Sequence, residues 1–265
     1  MLDFQVHQAS GLQALSALQG PQLIAMVSHG DEQSDMSVLW KLCSAYLELG
    51  YSITVLDATK HETRAEPGLA RLLEDGFWPG GQNRPEAAWQ ILPAARGLQE
   101  LHTRASGVGA AWPQLGQLFA DDAVVLVYAK PEALAALLRD SSARPLLAVS
   151  SSKNALLTSY LALKRLLMDG RVEPTIVNVN GLGGADVADP MPTPVAVNLA
   201  ECARNFLGYQ VRMLRLAPQT QGSRQEYDLK PLAARLLESG LALGARSARP
   251  IAPQALRTEA FAGTH

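Results

Sequence analysis

A chain of 265 residues, 48% of them hydrophobic, is long enough to bury one large α/β core. Lys and Arg number 23 against 25 Asp and Glu, a formal charge of −2 with no basic run, which excludes an electrostatic case for nucleic acid. Cys43 and Cys202 stand apart in apolar helical contexts and read as reduced buried thiols, which excludes a disulfide framework and a metal site built on cysteine. The opening MLDFQVHQASG has neither the basic flank nor the apolar core of a signal peptide, and no apolar run is long enough to span a bilayer. A cytoplasmic protein is therefore expected, with membrane contact at most peripheral.

In chain order, residues 8–18 predict a short helix with Leu12, Leu15 and Leu18 on one face. A strand over 22–28 and a helix over 35–49 follow, the helix ending at Gly50 before a second strand, 52–57. Next come a helix over 66–73, a Gly/Pro-rich turn carrying Phe77 and Trp78, and a strand over 87–92. The pattern continues as helix 112–119, strand 123–128, helix 131–138, strand 145–149 and an apolar helix over 154–168. Beyond a strand at 175–180 and a glycine- and proline-rich stretch lie a helix over 197–206, a strand over 210–216 and a last helix over 229–243. The tail from Gly244 has no period and is expected to be disordered. Alternating strands and helices of this kind predict an α/β fold, a doubly wound, mainly parallel sheet flanked by helices, over residues 21–243.

The loop between the first strand and its helix draws the eye to chemistry. His29-Gly30-Asp31-Glu32-Gln33-Ser34-Asp35 supplies three carboxylates and one glycine. A helix N-terminus after a strand attracts anions when main-chain amides and a lysine face it. A carboxylate about 4 Å from a phosphate oxygen instead costs about 4 kcal/mol at an effective dielectric near 20. Acidic groups do favour the helix end itself. Other patterns are weaker. His29, Asp31 and Glu32 could meet His61 and Glu62 at neighbouring strand ends as a metal site, although scattered surface acids are commoner. Ser150-Ser151-Ser152 is expected to cap the following helix. Gly181-Leu182-Gly183-Gly184 lacks the third spaced glycine of a dinucleotide loop, and no Gly-x-Ser-x-Gly elbow is present. Phe77 and Trp78 suit either a partner contact or a folded-back plug.

Residues 23–59, LIAMVSHGDEQSDMSVLWKLCSAYLELGYSITVLDAT, closely resemble the phosphate-binding frame of the MinD/ParA-like P-loop ATPase superfamily. The likeness extends through ILPAARGL at 91–98, SSSKNALLTSYLALKRL at 150–166, IVNVN at 176–180 and NFLGY at 205–209, and is greatest to the FlhG-like branch. On that frame Gly30 stands where the signature lysine belongs, Asp35 where the phosphate lysine belongs, and Met36 where the magnesium-binding Thr belongs. Tyr128 takes the place of the magnesium-positioning Asp, and only Asp57 and Asn178 remain of the nucleotide-handling set. Asp57 could equally cap the loop after its strand, and Asn178 could satisfy a strand end. The resemblance thus implies a pseudo-ATPase with a degenerate P-loop, no nucleotide cofactor and no catalytic residue, because phosphoryl transfer depends on electrostatic stabilisation and metal positioning.

By the same resemblance, the N-terminal segment is similar to the helix by which FlhG-type proteins engage the GTPase FlhF. Gln8, Ala9 and Leu12 match it, while its Asp and Arg are missing. The implied role is a regulator working through protein contacts, in flagellar number or placement or another polar machine. An FlhF-like GTPase or an active MinD/ParA-type paralogue is the expected partner. Alternatives are a divergent ATPase that uses Asn178, main-chain amides and a lysine such as Lys60 or Lys153, or a scaffold subunit in cellulose synthesis or division-site placement.

Overall fold

A computed structural model describes residues 20–76, 89–104, 108–179, 193–216, 218–221 and 224–244. The strands are β1 (Gln22–Val27), β2 (Ser52–Asp57), β3 (Trp89–Pro93), β4 (Ala123–Ala129), β5 (Leu146–Val149), β6 (Thr175–Asn178), β7 (Met213–Arg215), β8 (Pro218–Gln221), β9 (Arg224–Tyr227) and β10 (Leu241–Ala242). The helices are α1 (Glu32–Glu48), α2 (Gly68–Asp75), α3 (Ala95–Arg104), α4 (Val108–Gly116), α5 (Pro131–Leu137), α6 (Ala155–Arg165), α7 (Pro194–Leu207) and α8 (Lys230–Glu238). A π-helical turn, Leu166–Gly170, prolongs α6.

The main sheet has the order β3-β2-β4-β1-β5-β6-β7, every pairing along it parallel. Parallel strands are covered on both faces, so their sequences read as continuous apolar runs. QLIAMV in β1 and AVVLVYA in β4 are buried throughout. Alternate residues serve opposite layers. Leu23, Ala25 and Val27 join a core with α2 to α7, whereas Ile24 and Met26 join a second core with α1 and α8. Helices on both faces make this a doubly wound α/β fold.

The sequence pattern misplaced or missed several elements. The first helix begins at Glu32, three residues earlier than predicted, because Asp31 caps it. The predicted last helix stops at Glu238, and Leu241–Ala242 turns back as β10. That short strand pairs antiparallel with Gln22 and Leu23, on the β1 edge that β5 reaches only at Met26. Helix α3 and the β8–β9 hairpin were not foreseen. Asn154, not a serine, holds the N-cap position of α6, and its side chain makes no capping bond. At the β3 edge, Gly68 opens α2 with φ +54°, and a Cβ there would collide with the Pro93 carbonyl oxygen. Cys43 is buried, which pushes its thiol up to about 12, and neither it nor Cys202 forms a disulfide. Among the described residues, no helix is long and apolar enough to cross a membrane.

Candidate functional site

Ligands of open α/β sheets bind beyond the carboxyl ends of the strands, where the chain leaves neighbouring strands toward opposite faces. Here that point lies at the end of β1, between β4 and β5, with α1 on one face and α5 on the other. The Ser28 amide donates to the Ala129 carbonyl at 2.8 Å, prolonging the β1–β4 ladder and aiming the next residues across the sheet crest.

Asp35 does not face solvent from that crest. Its side chain is fully buried, in the first turn of α1. The main-chain amide of His29 donates to Asp35 Oδ2 at 3.4 Å, and the Tyr128 hydroxyl donates to the same oxygen at 3.2 Å. The His29 imidazole is also buried, its Nδ1 3.3 Å from Asp35 Oδ1, close enough for an ion pair but not aligned as a hydrogen bond. A carboxylate therefore lies inside the loop where the resemblance would place a phosphate-binding lysine, and it takes donors that an incoming anion would need. Burial pushes the Tyr128 phenol above its usual range, a hydrogen bond with Ser28 pulls it back, and the neighbouring Asp35 charge raises it further. Tyr128 remains a protonated donor at neutral pH.

The mouth of the loop is closed by a second carboxylate. Asp31 Oδ1 accepts from the Ser34 amide at 3.4 Å, and Asp31 Oδ2 accepts a hydrogen bond from the Ser150 hydroxyl at the end of β5. Burial raises the Asp31 carboxyl, but the bonds from Ser150 and Ser34 outweigh it and hold the group below its usual value. The amide of Ser152 donates back to Ser150 Oγ at 3.2 Å, so the Ser150 hydroxyl ties two strand-end loops together. Gly30 has φ +99°, a left-handed backbone that a side chain enters only with strain. Met36 is half-buried and packs on the α1–α8 core.

The other expected residues lie apart from this cluster. Asp57, at the end of β2, accepts from the Thr59 amide at 3.0 Å and the Thr59 hydroxyl at 2.6 Å. It is thus the loop cap that sequence allowed. Lys60 reaches back to Asp57 Oδ2 at 3.5 Å while remaining largely exposed. Asn178 ends β6, half-buried, in register with Val149 and Arg215. Glu62 does not turn toward His29; its carboxylate accepts the amides of Arg96 and Gly97, each at 2.7 Å, and caps α3. No group of three or more His, Cys, Asp or Glu side chains placed to hold a metal occurs among the described residues. Gln8, Ala9, Leu12, Phe77, Trp78 and the glycine run at 181–184 lie outside the described residues.

The donor set does not fit a magnesium–nucleotide. The amide and hydroxyl that point into the loop already serve Asp35, and the loop mouth holds Asp31. Sequence reasoning saw the acids but missed the His29–Asp35–Tyr128 contact and the Asp31–Ser150 bond. Both depend on β1 lying between β4 and β5, and no local spacing signals that order.

No protein-family model matches the chain, and no curated protein matches it. Solved structures with partial likeness include the MinC:MinD cell division protein complex of Aquifex aeolicus, at 12% identity over 59% of this chain and 68% of that one, TM-score 0.37. A ParA family ATPase from Chlorobium tepidum matches at 9% identity over 76% and 85% of the two chains, TM-score 0.44. Apo McdA of Cyanthece matches at 12% identity over 84% and 92%, TM-score 0.45. The doubly wound fold rests on the chain's own strand order and helix layers.

Proposed function

We propose that this chain is a non-catalytic, FlhG/MinD-like regulatory protein, a pseudo-ATPase that acts through protein contacts. One observation carries the reading. The carboxylate of Asp35 is buried inside the strand–helix loop and accepts the His29 amide and the Tyr128 hydroxyl. An anionic phosphate would have to displace it and then lie beside it, at a cost of several kcal/mol in a partly desolvated site. Gly30 adds no charge, and Met36 offers no hydroxyl for a metal.

Within this reading the expected partner is an FlhF-like GTPase or an active MinD/ParA-type paralogue, met through Gln8, Ala9 and Leu12 or through Phe77 and Trp78. The cellular setting is flagellar number or placement, or another polar machine. Calorimetric titration of the full chain with magnesium–ATP and ADP at about millimolar concentration tests the first half, since even a Kd of ~1 mM registers there. No saturable heat is expected. Saturable binding overturns the reading and favours the divergent ATPase, with Asn178 and Lys60 or Lys153 as the residues to change next. The partner half is tested in the same instrument by titrating an FlhF-like GTPase into the wild type and Gln8→Ala. No binding removes that partner; equal binding removes the Gln8 contact and leaves Phe77 and Trp78 as the residues to change.

A further inference from the structure

We propose that the outer stripe of α6 is the docking face for an acidic amphipathic helix of a partner protein. This rests on the contact-mediated role above and names the chemistry of the contact. Helix α6 buries Ala155, Ser159, Ala162 and Leu163 against the sheet. It turns Leu157 (61% exposed) and Leu161 (53%) outward, and the π-helical turn adds Met168 (63%). Lone exposed hydrophobics are ordinary on a protein surface. The leucines are aligned. On α6 itself Leu157, Leu161 and exposed Lys164 recur at intervals of four and three residues, one face of an α-helix, while exposed Lys153 stands in the turn just before the helix and Met168 in the π-helical turn just after it.

The seam ends in a cavity of about 510 Å³ whose lining includes Met168, Ala135 and Ala136 with Arg139, Arg165 and Arg171. The carboxylates there are engaged. Arg165 holds Glu132 at 3.6 Å and Asp169 at 2.9 Å, and Arg171 holds Asp140 at 3.5 Å. Arg139, Lys153 and Lys164 form no ion pair among the described residues. The cavity lining is balanced, its three arginines facing Glu132, Asp140 and Asp169, so the surplus positive charge beside the apolar anchors is that of Lys153 and Lys164, and the complement is a helix with leucine-like anchors and flanking acids. A second copy would bring the same surplus against itself. Three apolar side chains on one seam are also too narrow a face for burial in a lipid interface. Neither residues 1–19 nor residues 245–265 supply the acids. Residues 1–19 carry only Asp3, and residues 245–265 carry Arg246, Arg249 and Arg257 against Glu259.

The probe is a fluorescein-labelled helical peptide with Leu at the seam positions and Glu beside them, titrated with the full chain and read by anisotropy. A peptide with Lys for every Glu is the control. Saturable binding of the Glu peptide alone is expected, weakened roughly tenfold or more in Leu157→Ala/Leu161→Ala, a size usual for central anchors. The variant Lys153→Glu/Lys164→Glu should reverse the preference and take the Lys peptide. All these positions are exposed, and an unchanged thermal midpoint verifies folding. Absence of saturable binding, or equal affinity for both peptides, overturns the proposal. So does transfer of the effect to phosphatidylglycerol-containing vesicles, or a self-association that the leucine variant abolishes. Nucleotide binding in the calorimeter would remove the pseudo-ATPase reading and leave this result standing; failure here leaves the calorimetry untouched.

Discussion

The crest above β1 and the outer seam of α6 lie on neighbouring elements and treat polarity in opposite ways. At the crest, charged and polar groups are drawn inside: Asp35 is fully buried, Tyr128 donates to it, and Asp31 is tied to Ser150. On α6, leucines face water, and Lys153 and Lys164 beside them form no ion pair among the described residues. A surface that spends its polar groups on itself has little left for a ligand. A surface that leaves apolar groups uncovered has something to gain from a partner. The contrast moves attention from the strand–helix loop, where fold-level expectation looks first, to the helix beside it.

The contrast breaks most directly at Asp35. Asp35→Ala leaves the His29 amide and the Tyr128 hydroxyl buried without their acceptor, and stability should fall by about 3 kcal/mol in urea unfolding. A loss below about 1 kcal/mol would mean the loop opens readily and is not self-satisfied. Gly30→Lys restores a lysine at the family position but forces a side chain onto a left-handed backbone. It should cost about 1–2 kcal/mol and still bring no calorimetric binding of magnesium–ATP. Gain of binding would show that one charge reopens the site.

The smallest effect is expected at Ser150. Asp31 is held below its usual value, so its contribution is present above the unfolded carboxyl value near pH 4 and lost as pH falls through the folded one. Ser150→Ala should therefore destabilise the protein at neutral pH by less than about 1 kcal/mol, given the solvent exposure of Asp31. The gap between variant and wild type should shrink in acid, measured by denaturant unfolding across that range. A gap that widens in acid would show that the hydroxyl serves something other than the ionised Asp31.

Much of the fold was legible because parallel strands leave an unmistakable trace. LIAMV and AVVLVYA are continuous apolar runs, SITVLD carries the β-branched residues of a strand, and each became a strand within a residue of its predicted bounds. The β8–β9 hairpin was not legible, since PQTQ and RQEY lack apolar alternation. The last helix was overextended because Leu241 and Leu243 continue the leucine period beyond Gly240, where the chain turns into β10. At the site, the acidic character of residues 31–35 could be read directly. The direction in which Asp35 points could not, for its partner Tyr128 is 93 positions away. Ser150 was assigned to its nearest helix, yet it bonds Asp31 across 119 positions of chain.

The short strand β10 has a consequence for how the molecule is made. Its two residues complete the edge of β1, and the Leu243 amide then donates to the Pro21 carbonyl at 2.9 Å. The first strand of the sheet is thus closed by almost the last residues of the described fold. During synthesis β1 must wait, partly unpaired, until residue 243 has left the ribosome, so the fold is completed only after translation of this region. The segments before Gly20 and after Gly244 then depart from adjacent points, since a Cβ on Gly20 would lie 3.2 Å from the Gly244 Cα.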